Sequence, residues 1–70
     1  MERYSVASSN IASIGYDVNT QTLEVEFFSG MIYQYYGVPE HLYDQLMQAG
    51  SKGRFLNAYI KNGFGYSRVG

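Results

Sequence analysis

The chain has no cysteine and a single histidine, His41, in its 70 residues. The first absence excludes disulfides and thiolate metal sites, and it fits a reducing compartment. The second leaves no histidine pair at metal-ligand spacing. It also leaves Ser8, Ser9, Ser13, Ser29, Ser51 and Ser67 without an evident base, which argues against nucleophilic catalysis. His41 itself falls in an expected first helical turn, where an exposed, solubilising role is the simplest. No phosphate loop is present and no cofactor is expected. No stretch approaches the ~20 apolar residues of a membrane span. The opening "MERYSVASSNIASIGY" carries no targeting signal, so the expected location is the cytoplasm and no membrane partner is expected.

Acidic residues are absent from Ser51 onward. The net charge of −1 therefore conceals an asymmetry. Residues 1 to 40 set Arg3 against Glu2, Asp17, Glu24, Glu26 and Glu40, a net −4. Residues 41 to 70 set Lys52, Arg54, Lys61 and Arg68 against Asp44, a net +3. An anionic partner responds to such local potential rather than to the average. The competing reading is that these cations only keep a small helix and tail in solution.

What the chain has in quantity is aromatic surface, with eight tyrosines and four phenylalanines. A single domain of this length buries only about 60% of its unfolded surface, and large rings supply much of what it can bury. One domain spanning 1–70 is expected. Association into a homo-oligomer would add to the buried area.

Three strands are expected. "NIASIGYDV" (10–18) alternates weakly, placing Ile14, Tyr16 and Val18 on one face. "TLEVEFF" (22–28) has a clear period of two, with Leu23, Val25 and Phe27 inward and Glu24 and Glu26 outward. The two glutamates lie about 7 Å apart on one strand face, and their expected setting is the wet side of a two-layer domain. "MIYQYY" (31–36) follows the turn. A three-residue loop, Phe28-Ser29-Gly30, pairs Phe27 with Met31, Val25 with Tyr33 and Leu23 with Tyr35. It needs Gly30 in the left-handed region. Only this register collects the apolar sets of both strands on one face, because a one-residue slip reverses a strand's faces. Tyr33 and Tyr35 are therefore assigned to the core side, while Ile32, Gln34 and Tyr36 point outward.

Helical signals follow. Pro39 suits the first helical position and Glu40 complements the positive helix end. Leu42, Tyr43, Leu46 and Met47 form one stripe. Gly50 is expected as the left-handed terminator. Ser51 can cap a second helix from Lys52, whose stripe is Phe55, Leu56, Tyr59 and Ile60. The expected fold is α+β: a three-stranded antiparallel meander, then a two-helix hairpin packed on one face, then a short C-terminal tail or strand.

Two surfaces emerge as candidate sites. The first is basic: Ser51, Lys52, Gly53 and Arg54 at the start of the second helix, with Lys61 two turns on from Arg54, Arg68 in the tail, and Tyr66 and Tyr36 as rings for stacking on bases. Capping by Ser51 and close helix approach at Gly53 explain part of that set without a ligand. "NGFGYSRV" (62–69) resembles the RNP1 motif of RNA-recognition domains at Gly63, Phe64, Gly65 and Tyr66, although Asn62 stands where a basic residue belongs. A turn followed by tail aromatics docking on the core explains it better. The second surface is Phe28, Ile32 and Tyr36 on the outer sheet face, suited to a protein partner or self-association.

The ordered set "SSNIASIGYD" (8–17), "LEVEFFSG" (23–30), "YQYYGVP" (33–39) and "SKGRFLNAYI" (51–60) resembles the KTSC domain. This small bacterial and phage-associated module is named for its occurrence at the C-terminus of some lysyl-tRNA synthetases, and it also occurs as a stand-alone protein. Tyr33-x-Tyr35 matches its central Y-x-Y, and residues 51–60 match its Ser-x-Gly…Phe…Asn helix. The resemblance implies no catalytic residues. It makes RNA, tRNA-like or single-stranded, the first-choice partner of a non-enzymatic binding module, with a protein-interaction module as the alternative.

Overall fold

The alternation of "TLEVEF" produces the pairing that its period requires. In the computed structural model, which describes residues 1–70, β3 (Thr22–Phe27) pairs antiparallel with β4 (Ile32–Tyr36). Leu23 stands opposite Tyr35 and Val25 opposite Tyr33. The amide of Phe27 bonds to the Met31 carbonyl, and that of Gly30 to the Phe27 carbonyl, each at 2.9 Å. Gly30 adopts φ +95°, a conformation with no Cβ penalty for glycine. Leu23 and Val25 are fully buried, and Ile32, Gln34 and Tyr36 stand opposite Glu26, Glu24 and Thr22 on the other face.

On the far side of β3 lies β2 (Ile11–Asp17), with Ile14 opposite Val25 and Tyr16 opposite Leu23. An irregularity between Ile11 and Ser13 accommodates Ala12 as an extra residue. Such a bulge restores the facing of the chain beyond it, so Ile11 and Ile14, three apart, both reach the core. The strand ends one residue short of Val18. That residue occupies the turn and is 53% exposed, rather than sharing the face of Tyr16.

Two edge strands extend the expected three: an unexpected one at the N-terminus, and one at the C-terminus where a tail or strand is expected. β1 (Tyr4–Ser5) pairs with β2, and β5 (Gly65–Arg68) pairs with β4, completing a five-stranded antiparallel meander in the order β1-β2-β3-β4-β5. Both edges are too short to show a period, and β5 is exposed at every residue, so neither carries an apolar alternation for sequence reasoning to detect.

The helical layer packs on the face bearing Ile14, Leu23 and Val25. α1 (Glu40–Gln48) buries Leu46. α2 (Lys52–Phe55) runs without a break into a π-helical turn, Leu56–Ile60, which buries Leu56 and Ile60. Pro39 sits one place before the expected position, as the residue preceding the first helical one. The helix ends at Ala49 in an extended conformation, and Gly50 is not left-handed. Besides Gly30, the positive-φ glycine is Gly37, at φ 75° after β4. Tyr16 stacks flat on Tyr43, with ring centroids 4.7 Å apart, and donates its hydroxyl hydrogen to the Val38 carbonyl. This pins the entry of α1 to β2. No helix is long and apolar enough to cross a membrane.

The opposite sheet face is not the solvated side expected for Glu24. The N-terminal segment crosses it at Gly15, where a Cβ would overlap the Glu2 carbonyl. This brings Arg3 over the sheet, where its guanidinium bonds to Glu24 and, at 3.0 Å, to the Ser13 hydroxyl. Gln34 donates to Glu24 at 2.8 Å and Ser13 donates to Glu26 at 2.8 Å. Glu24 is 6% exposed. Burial alone pushes its carboxyl up. The hydrogen bonds from Gln34 and Arg3, together with the Arg3 charge, outweigh burial and hold the carboxyl below its usual range.

A carboxyl with a depressed pKa stabilises the fold above its unfolded pKa, and that stability is lost as pH falls through the lower folded value. Arg3→Met should therefore cost about 2–3 kcal/mol at pH 7 by leaving Glu24 buried and under-compensated. In urea denaturation the gap to wild type should narrow towards pH 3, where Glu24 protonates in the variant. Gly15→Ala should cost about 1–3 kcal/mol by displacing the N-terminal segment, with the loss read from the same urea midpoints.

Candidate functional site

A helical layer of two short segments cannot cover five strands, and the side of the sheet built by β4 and β5 stays partly open. Pairing of Tyr35 with Tyr66 and of Tyr33 with Arg68 places all four side chains on the helix-facing side. The result is a groove of about 570 Å³ between the sheet and the C-terminal part of the second helix.

Its floor is aromatic. The ring centroids of Tyr33, Tyr35 and Tyr66 form a triangle with sides of 6.5, 6.0 and 6.0 Å, and Phe27 packs edge-on against Tyr33 at 6.0 Å. Leu56, Asn57, Lys61 and Asn62 form one wall. The π turn presents them: the Lys61 amide bonds to the Leu56 carbonyl at 2.8 Å, five residues back. Such turns are rare in helices and recur at functional sites. Phe28, Ser29, Met31 and Asn10 close one end.

The electrostatics are simple. No acidic residue lines the groove, Lys61 is its one charged side chain, and the chain's two ion pairs both involve Arg3. Tyr35 is 4% exposed and its hydroxyl has no protein partner. No fully enclosed side-chain polar atom in the chain lacks a partner, so this hydroxyl meets the groove space. Burial first, then the neighbouring Tyr33 and Tyr66, hold the phenol above its usual value. The arrangement offers ring faces, neutral donors and acceptors, and one cation. It contains no nucleophile paired with a base, and the chain has no cluster of three metal-binding side chains.

The candidate residues divide between locations. Lys61 and Tyr66 line the groove, and Arg68 stands on the same face opposite Tyr33, its Nε donating to the Gly70 carbonyl at 2.9 Å. The Ser51–Arg54 turn has structural tasks. Ser51 Oγ accepts from the Arg54 amide at 3.4 Å, and Lys52 Nζ donates to the Ala49 carbonyl at 3.2 Å. A Cβ at Gly53 would meet Asn10 Oδ1 at 2.6 Å. These residues hold the helix against the segment before β2 and do not reach the groove. Tyr36 lies on the opposite sheet face and donates to Gln34 at 3.1 Å, so it cannot act together with Tyr66.

Of the outer surface residues, Phe28 and Tyr36 are exposed. Phe28 follows the end of β3 and lines the groove. Ile32 is half-buried and bonded through its backbone to Val69 and Gly70. Tyr33, Tyr35, Asn57 and Asn62 were not among the expected site residues. Tyr35 is part of the buried core, as its register requires, and Tyr33 packs against it. The signal that locates them is the "GYSR" tail read as a strand, since its Tyr66 must then join their face.

Tyr35 is deeply buried, whereas Tyr66 is 60% exposed. Tyr35→Ala should cost about 3–5 kcal/mol, while Tyr66→Ser should cost at most about 1 kcal/mol. Thermal melts of the two variants check the difference.

Similar proteins place the fold in a known family. The KTSC domain model matches residues 7–64. A protein of Stutzerimonas stutzeri is 44% identical over 61 residues, covering 87% of this chain and 86% of that protein. A lysine–tRNA ligase of Nostoc punctiforme is 39% identical over 61 residues, which make up 11% of the ligase. The crystal structure of a KTSC domain protein from Yersinia pestis superposes with a TM-score of 0.93 at 46% identity, covering 99% of this chain and 97% of that one.

Proposed function

The chain belongs to the KTSC domain family, and we propose that this copy is a non-enzymatic module that binds RNA, single-stranded or tRNA-like, in the groove between β4–β5 and the second helix. One observation carries the reading: an acid-free aromatic floor with Lys61 at its wall and Arg68 on the same sheet face. Nucleic acids are bound through cations that neutralise phosphates and rings that stack on bases, and both lie here within one concavity. The similarity to a segment of lysine–tRNA ligases supports the reading, because those relatives act on an RNA. The basic C-terminal half contributes through Lys61 in the groove and through Arg68, outside the groove lining but on the same sheet face, while Lys52 and Arg54 add only to the general positive potential.

The test is a titration of labelled tRNA and single-stranded RNA at low and at near-physiological salt. Micromolar binding that weakens with salt is expected. Replacing both Lys61 and Arg68 with Gln should flatten the slope of log K against log salt by about 0.7 per cation removed. Absence of binding at low salt would contradict the proposal.

A further inference from the structure

The groove's unspent hydrogen-bonding groups specify more than a charged surface would. Tyr35, nine-tenths and more buried, brings a hydroxyl without a partner to the groove. The hydroxyls of Tyr33 and Tyr66 also lack protein partners, whereas those of Tyr16 and Tyr36 bond to Val38 and Gln34. Asn57 and Asn62 make no side-chain hydrogen bond, and each amide offers both donors and an acceptor. Lys61 makes no ion pair. Asn57, Lys61, Asn62 and Tyr66 are exposed and the Tyr35 hydroxyl is not sealed off, so these groups are open to a ligand and converge on one space with a ring floor.

From this convergence we infer that the groove takes one unstacked nucleobase together with its phosphate. The inference rests on the RNA reading above and names the unit that the site holds. The base stacks on the exposed ring of Tyr66, flanked by the tilted ring of Tyr33, its edge meets the Tyr35 hydroxyl and the amides of Asn57 and Asn62, and the phosphate pairs with Lys61. The absence of acids around Lys61 suits an anion. A volume of about 570 Å³ is that of a small-molecule site, adequate for a nucleotide and far too small for a duplex. Bases in a duplex are stacked and hidden, so the site selects loops, bulges and ends.

The chain has no tryptophan, so its intrinsic fluorescence comes from tyrosine and reports stacking directly. Three six-nucleotide probes would be titrated at low salt: single-stranded uridylate, the same length of abasic ribose-phosphate, and a six-base-pair duplex. Uridylate should quench the emission, and the abasic strand should bind roughly tenfold or more weakly. Tyr35→Phe keeps the ring, and Tyr66→Ser alters an exposed residue, so both should fold. Each should weaken uridylate binding severalfold and leave the abasic strand unchanged. Equal binding of abasic and base-bearing strands, tighter binding of the duplex, or wild-type affinity in both variants would overturn the inference while leaving RNA binding through phosphates intact. Failure of all three probes to bind would overturn the RNA reading and this inference together.

Discussion

The pairing of Phe27 with Met31 across a turn that ends in a left-handed glycine sets the facing of every residue from Met31 to Tyr36. A side-chain period of two allows two outcomes only, and a slip by one residue exchanges them. In the register that forms, Tyr33 and Tyr35 stand beside Val25 and Leu23 under the helical layer, and Gln34 stands beside Glu24 on the other face. β5 inherits that facing, so Tyr66 and Arg68 join the tyrosines. The groove, its ring floor and its neighbouring cation all follow from a turn of three residues.

The two faces of the sheet solve different problems. On one, the N-terminal segment folds over Gly15 and places Arg3 where it compensates Glu24, whose burial is otherwise unfavourable. That face is closed by polar chemistry and is occupied with stability. On the other, two short helices bury Leu46, Leu56 and Ile60 against the central strands and leave β4 and β5 partly uncovered. The π turn presents Lys61 and Asn62 to that open stretch. An incomplete layer leaves a cavity, and among its lining residues Tyr33, Tyr35, Asn57, Asn62 and Tyr66 keep hydroxyls and amides that make no hydrogen bond within the chain.

Much of this was legible from residue order. The strong alternation of residues 22 to 28, the glycine at 30 and the requirement for a common apolar face were enough to derive the β3–β4 register and the inward facing of both tyrosines. The resemblance to the KTSC family, drawn from short stretches along most of the chain, was matched over residues 7–64. The N-terminal edge strand was not legible and the C-terminal one stayed open between tail and strand, because two exposed residues at 4 and 5 and four at 65 to 68 show no periodicity. The burial of Glu24 depends on Arg3, a contact 21 residues away in sequence. Gly50 carried a terminator's signature, but the helix closes at Ala49 in an extended conformation. The site was divided for a related reason. Charge and motif point to Lys61, Tyr66 and Arg68, whereas the register marks Tyr33 and Tyr35 as core, which they are, while both also line the groove. A face that packs at one end and opens at the other produces one pattern in sequence.

The central claim is that the helix-facing groove, and not the outer sheet face or the Ser51–Arg54 turn, meets RNA. Mapping backbone amide shifts on adding a short single-stranded RNA tests it most directly. Shifts concentrated at Tyr33, Tyr35, Asn57 to Asn62 and Tyr66 are the predicted result. Shifts confined to Ile32 and Tyr36, or to residues 51 to 54, would contradict the account.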